Sequence, residues 1–336
     1  MKRLGNLYDQ ICSIDNLRLA DEKARKGKVK SYGVQRHDKS RDANLLHLHK
    51  MLLNQTYKTS DYDVFTIYEP KERQIFRLPY FPDRITHHAI MNVLEPVWVS
   101  VFTNDTYSCI KNRGIHAAAK QVKYDLKTDP EGTLYCLKID VRKFYPSIDH
   151  DILKQIVRRK IKDKRLLWLL DEIIDSADGV PIGNYLSQYF ANLYLAYFDH
   201  WIKEVKQVRY FYRYADDIVI LSSSKESLHA LLRDMRVYLR DNLKLKIKHN
   251  FQVFPVDSRG IDFLGYRFFH THTLLRKSIK QRFCRRVAEL NKKTDVKFES
   301  YKQQVCSWWG WCKYCDSINL VNKLFKNSAY EINFRR

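Results

Sequence analysis

The sequence predicts an α+β fold built on a split βαβ sheet, with helices at both ends of the chain. Three observations predict it. The first is the order of strand and helix signals. An apolar strand, LYCLKID at 134–140, is followed by two strands, QVRYFYRY at 207–214 and IVILS at 218–222. A helix over about 225–241 and an alternating segment, LKLKIKH, complete the order strand, helices, hairpin, helix, strand, which is that of a split βαβ unit. The second is a long helix after the Val180–Asn184 turn. Leu186, Tyr189, Phe190, Leu193, Tyr194, Tyr197 and Phe198 recur at i, i+3, i+4, i+7, i+8, i+11 and i+12, a wide apolar face. The third is the tail from Arg276, helical in pattern, with 15 Lys and Arg against 5 Asp and Glu.

The remaining elements follow the same logic. Residues 1–60 mix helical pattern with charge, including a basic stretch at Lys23–Lys30. VFTIY at 64–68 and QIFRLPY at 74–80 read as a strand and its return, with Glu69-Pro70-Lys71-Glu72-Arg73 as the turn. Helical spacing runs from Asp83 to Phe102, and GIDFLGYRF at 260–268 reads as a short hairpin. No linker, repeat or low-complexity stretch separates these segments, so the parts of the chain are expected to pack closely.

Charge narrows the function. Lys and Arg total 60 against 38 Asp and Glu, a net +22. Such a surplus repels itself unless a polyanion neutralises it, and nucleic acid does so by releasing counterions from its phosphates. No apolar run is long enough to span a bilayer, and no amphipathic basic terminal helix suggests docking on one, so no membrane partner is expected. The start, MKRLGNLYDQICSIDN, is basic but lacks the apolar core of a secretory signal, so the cytoplasm is the expected compartment. Seven scattered cysteines fit a reducing compartment. Cys312-x-x-Cys315 has no neighbouring His, and Cys312 follows the aromatic run Trp308-Trp309-Gly310-Trp311, which reads as helix packing rather than a zinc site.

Acidic residues at strand ends carry the chemistry. Asp140 closes one strand, and Asp216 and Asp217 occupy the tight turn between two others. Adjacent strands of one sheet would bring Asp140 and Asp216 face to face. Carboxylates that close repel unless a divalent cation neutralises them. Magnesium takes one or two carboxylates plus phosphate oxygens, and a pair of such ions clamps both oxygens of a phosphoryl transfer. An Asp–Asp turn alone is ordinary turn chemistry; its surroundings decide the reading.

Tyr214-Ala215-Asp216-Asp217, set between two strands and 76 residues after Asp140, resembles the YxDD box of reverse transcriptases. The likeness continues in family order. Asp140-Val141-Arg142-Lys143-Phe144-Tyr145-Pro146-Ser147-Ile148-Asp149-His150 resembles their first catalytic motif. Gly179-Val180-Pro181-Ile182-Gly183-Asn184 with Ser187-Gln188 resembles the template and nucleotide motif, and Gly260–Tyr266 the primer grip. Pro82-Asp83-Arg84-Ile85 and Arg113-Gly114-Ile115-His116 are similar to the fingers of group II intron-like bacterial enzymes. Most of those enzymes carry Pro-Gln-Gly followed by Ser-Pro. Pro181-Ile182-Gly183 with Ser187-Gln188 instead resembles the reverse transcriptases of diversity-generating retroelements, as do Leu275-Arg276-Lys277-Ser278 and Ser307-Trp308-Trp309-Gly310 in the tail.

The resemblance implies a right-hand polymerase: fingers with an N-terminal extension (1–133), catalytic palm (134–272) and helical thumb (273–336). It implies two Mg2+ ions held by Asp140, Asp216 and the Val141 carbonyl, with Asp217 close behind. Tyr145 is then the steric gate against a ribose 2′-hydroxyl, or else a core aromatic. Lys71 and Arg73 are then triphosphate ligands, or else a solvated charged turn. Ile182 and Gly183 would border the nucleotide. Ser187, Gln188, Phe263, Leu264 and Gly265 would serve template and primer, while Arg113 reads equally as a template-phosphate contact or a brace for its loop. The implied activity is copying of template RNA into cDNA from dNTPs, with errors at template adenines. The implied partners are the RNA, the RNA–DNA hybrid and a small basic helical accessory protein, in a bacterial or phage-encoded system. A group II intron or retron enzyme is the alternative, and a catalytically silent RNA-binding module the non-enzymatic one.

Overall fold

The computed structural model describes residues 3–68, 72–293 and 297–326. The chain forms two compact units. One comprises Met1–Cys109, Val141–Lys206 and Asp234–Lys248; the other comprises Ile110–Asp140, Gln207–Arg233 and His249–Arg336.

The first unit is mainly helical. Helices Tyr8–Cys12 and Ile14–Ala24 pack on Ile85–Val99, and Arg41–Leu53 packs on those first two, burying Tyr8, Leu17, Leu48, Ile90, Leu94 and Trp98. Asp163 caps the helix Lys164–Ile174 by accepting from the Leu166 N–H at 3.3 Å, and also accepts from the Leu7 and Tyr8 N–H groups at 2.8 and 3.0 Å. One carboxylate therefore satisfies amides at the starts of two helices that are far apart in sequence. The helix Tyr185–His200 matches the predicted apolar face: of its seven named residues all are buried but Tyr197, which is half-buried. Strands β1 (Asp63–Ile67) and β2 (Arg73–Arg77) form an antiparallel hairpin whose first strand is exposed along its whole length.

The second unit holds the predicted sheet. Strands β3 (Tyr135–Asp140), β4 (Tyr210–Tyr214), β5 (Asp217–Ser222) and β6 (Gln252–Pro255) lie in the order β4-β5-β3-β6, every neighbour antiparallel. The last strand differs from expectation. LKLKIKH contributes only an isolated bridge, Ile247 to Val141, and the strand beside β3 comes later. Lys244, at φ +52, turns the chain sharply at the end of the helix Lys225–Leu243, and alternation buries Leu245 and Ile247 without building a ladder.

A second sheet follows: β7 (Ile261–Phe263), β8 (Tyr266–Phe268) and β9 (Thr273–Leu275), the third strand extending the hairpin that the sequence predicts. Leu264 and Gly265 join β7 to β8 with φ of +51° and +84°, the two left-handed residues of a type I′ hairpin. Helices Lys277–Asn291, Phe298–Cys312 and Ile318–Phe325 complete the unit, as the tail's pattern predicts. Among the described residues no helix is long and apolar enough to cross a membrane.

Candidate active site

In the second unit the strand register positions the acids. Asp140, the last residue of β3, pairs with Asp217, the first of β5. The residue facing Asp140 is thus Asp217, not Asp216 as expected, and Asp216 sits one residue earlier in the turn. The turn has only two residues, Ala215 and Asp216, because Tyr214 already pairs with Asp217. Ala215 takes φ +53°, a left-handed conformation costly for a residue with a Cβ and concentrated at functional turns. The Arg213 guanidinium, fully buried, donates to the Ala215 carbonyl at 3.1 Å and braces that turn.

Two carboxylates directly opposite each other on one sheet face destabilise the sheet. Burial first, and Asp140 second, push the Asp217 carboxyl above the usual carboxylate range; Lys138 works against both. Lys138 precedes Asp140 by two residues, so it shares that sheet face. Its Nζ stands 3.5 Å from Asp217 and donates to the main-chain carbonyl of Asp262, on β7. Lys138 thus ties the acid pair to the hairpin, a role that a lone charged residue in an apolar strand does not announce.

The donor set fits a hard divalent cation. It consists of oxygens alone, and Asp217 Oδ1 is buried without a hydrogen bond. Among the described residues no three His, Cys, Asp or Glu side chains converge on one point.

The hairpin turn is seated from behind. A Cβ at Gly265 would collide with the Trp311 ring, and the Arg276 N–H donates to the Gly265 carbonyl at 2.9 Å. Tyr266 packs on Trp311 at 5.2 Å between ring centroids, and its hydroxyl reaches His116 at 3.2 Å. Phe263 is fully buried, so it supports the hairpin surface from inside; Leu264 is half-buried. Arg113 is half-buried in the loop preceding the helix Ile115–Thr128.

The first unit collects the other predicted residues. Tyr145 is half-buried in a short 3-10 turn, its ring edge-on to Phe144. Its carbonyl accepts from the Val180 N–H at 2.9 Å, while His150 Nε2 contacts the Gly179 carbonyl at 2.8 Å. The Tyr145 turn and the 179–184 loop are thus joined through main chain. That loop also grips the hairpin: the Phe76 N–H of β2 donates to the Ile182 carbonyl at 2.8 Å. Gly183 has φ +125°, and a Cβ there would meet the Phe76 carbonyl at 2.7 Å, so only glycine fits. Ile182 is half-buried and Gly183 exposed. Ser187 is buried inside the helix Tyr185–His200 and Gln188 is exposed. Arg73 is exposed at the start of β2, and Lys71 lies outside the described residues.

An acid-ended split βαβ sheet, a left-handed Asp turn and a braced hairpin define the palm of a template-directed polymerase. Comparison gives the family. The model of the reverse transcriptase (RNA-dependent DNA polymerase) family matches residues 69–268, more than half of the chain, and the chain belongs to that family. It is 27% identical over 249 residues to Protein YkfC of Escherichia coli, covering 60% of this chain and 65% of that one. It is 20% identical over 269 residues to the group II intron-encoded protein LtrA of Lactococcus lactis, covering 58% of this chain and 44% of the relative. The chain therefore spans about half to two thirds of these relatives. A telomerase of Candida tropicalis superposes with a TM-score of 0.52 at 12% identity, covering 82% of this chain and 60% of that one. That likeness shows the fold, that of a right-hand polymerase.

Proposed function

We propose that this chain copies an RNA template into DNA, and that it does so as the reverse transcriptase of a diversity-generating retroelement, with errors concentrated at template adenines. The observation that carries the polymerase reading is the facing of Asp140 and Asp217 at the end of a buried sheet, with Asp216 in the adjoining strained turn. Asp140, Asp216 and the Val141 carbonyl would hold magnesium, two ions by family resemblance, with Asp217 behind them. Bound there, the metal neutralises charge on the phosphates and on the attacking and leaving oxygens. Lys71 and Arg73 bind the triphosphate of the incoming dNTP. Tyr145 excludes the 2′-hydroxyl beneath the sugar. Arg113, Gln188 and the 264–265 turn meet template and primer, with Ser187 and Phe263 supporting from within. Fingers, palm and thumb divide near residues 133 and 272. A small basic helical accessory protein shares the RNA, and the host is bacterial or phage-infected, with the enzyme in its cytoplasm.

Ile182 supports the retroelement reading. A Gln at this position can hydrogen-bond near the nascent pair; Ile has similar bulk and neither donor nor acceptor. One lost hydrogen bond of roughly 0.5–1.5 kcal/mol raises misincorporation severalfold. The preference for adenine rests on the resemblance alone. A second reading, a group II intron enzyme, is favoured by the likeness to LtrA. Sequencing cDNA made by the wild type and by Ile182→Gln from one RNA template separates them. We expect wild-type errors clustered at template adenines and fewer in the variant. A wild type accurate at adenine sinks the retroelement reading and leaves the intron-type one; equal spectra in both enzymes remove Ile182 from fidelity.

A further inference from the structure

Tyr145 stands on a 3-10 turn of three residues, Tyr145–Ser147, too short to fix its own ring. Lys143, two residues before Tyr145, takes φ +45°, a left-handed conformation costly for a residue with a Cβ. The turn is held from outside, by the start of the 179–184 loop. The Val180 N–H donates to the Tyr145 carbonyl at 2.9 Å, and Gly179, buried at φ +61°, lies against the same peptide. A Cβ at Gly179 would meet the Tyr145 carbonyl oxygen at 2.6 Å and the Pro146 Cα at 2.7 Å. Gly179 and the Tyr145 peptide are therefore in direct contact.

His150 holds Gly179 in turn. A carbonyl only accepts, so His150 Nε2 is the donor in its 2.8 Å contact with the Gly179 oxygen. The other edge of the ring faces Asp175. Nδ1 lies 3.3 Å from Asp175 Oδ1, while Lys154 Nζ donates to Oδ2 at 2.6 Å. The backbone beneath the ring is fixed as well. His150 is the first residue of the helix His150–Arg158, which Asp149 caps by accepting from the Ile152 N–H at 3.1 Å. The Asp149 N–H donates to the hydroxyl of the buried Tyr194 at 3.2 Å, and Lys244 Nζ donates to Asp149 Oδ2 at 2.6 Å. Loss of the imidazole would leave the carbonyl of a buried residue short of this donor, which is costly unless the loop shifts to find another.

We propose that His150 is a positioning residue for sugar selection: through the Gly179–Val180 main chain it fixes the place of the Tyr145 ring, and with it the preference for deoxyribonucleotides over ribonucleotides. The inference rests on the reading of Tyr145 as the gate against a ribose 2′-hydroxyl, and it adds a residue that acts only through that gate. A gate works by steric overlap, which changes steeply with small displacements. Its carrier has to be locked by the hydrogen bonds of the residues around it. His150 supplies that lock from a capped helix, the most rigid element next to the loop.

The test is single-nucleotide addition by the full chain on a primer–template whose next template base is uracil, giving kcat/KM for dATP and for ATP. Tyr145→Ala sets the scale by removing the ring. His150→Phe keeps a ring but loses the donor. Its dATP-over-ATP ratio is expected to fall about fivefold, the size of one lost hydrogen bond, through a lower KM for ATP. His150→Gln restores a donor at similar reach and holds the ratio near wild type. Asp175→Ala changes an exposed residue, so folding is spared, and a fall of about twofold is expected, the size of an exposed ion pair. In the Tyr145→Ala background His150→Phe changes the ratio no further, because its effect passes through the ring. A ratio unmoved by His150→Phe and Asp175→Ala, where Tyr145→Ala does relax it, overturns the inference and leaves the gate standing. Equal losses with dATP and ATP are the mark of a merely structural residue and also overturn it. Unchanged selection in Tyr145→Ala overturns the gate reading, and the inference with it.

Discussion

The acid end of the β3–β5 ladder and the β1–β2 hairpin both carry charged residues, but they are held in opposite ways. Ile139 and Ile218 are buried beside the acids, and β3 is paired on both edges, so neither acid can move without breaking a ladder. The hairpin has no such frame. β1 is exposed throughout, and the described contacts to the 179–184 loop are the Phe76 N–H on the Ile182 carbonyl and, just before β1, the Tyr62 hydroxyl accepting from Asn184 Nδ2 at 3.3 Å. Carboxylates that repel each other need a rigid frame to stay close. Cations that meet a strongly charged phosphate need no such frame, because attraction guides the approach.

That contrast orders the expected effects. Asp140→Asn or Asp216→Asn should lower primer extension by at least about a thousandfold, because charge neutralisation carries most of the rate. RNA affinity by filter binding should stay near wild type, and near-normal extension by either variant would return the acids to turn chemistry. Lys138→Met keeps the bulk of the side chain but removes the charge joining Asp217 to the Asp262 carbonyl. A loss of about tenfold in extension rate, roughly 1.4 kcal/mol, is expected with an unchanged far-ultraviolet circular dichroism spectrum. An unaltered rate would make Lys138 a packing residue.

Gly183→Ala tests the main-chain tie between the hairpin and the 179–184 loop. A Cβ at φ +125° against the Phe76 carbonyl should cost about 1–3 kcal/mol and raise the KM for dNTP severalfold. Wild-type stability and KM together would mean that the loop relaxes freely. Lys71→Ala and Arg73→Ala should each raise the apparent KM for dNTP about threefold to tenfold, with primer–template affinity little changed. The smallest effect is on stability. The Asp217 carboxyl is raised in the fold, so its contribution to stability is full below the ordinary carboxylate range and is lost as pH rises through the folded value. Metal-free Asp217→Asn should therefore melt slightly higher than wild type at pH 7 and equal to it near pH 3. A lower melting temperature at pH 7 would show that Lys138 outweighs burial.

The sequence by itself determined the elements whose signals are local. The YxDD turn, the strand ending in Asp140, the wide apolar face of Tyr185–His200 and the hairpin at 261–268 could each be read from spacing and turn residues, because each is set by neighbours a few positions away. What only the tertiary structure decided were pairings between distant segments. Alternation in LKLKIKH looked like a strand, but β3 took residues 252–255 as its partner, since an edge goes to whichever segment reaches it and alternation alone names no partner. Register put Asp217, rather than Asp216, opposite Asp140, because a two-residue turn fixes which residue closes the ladder. Lys138 and His150 gained meaning for the same reason. A polar side chain in a sequence has no partner until folding removes water from around it and leaves, at each of these two, a carboxylate and a carbonyl.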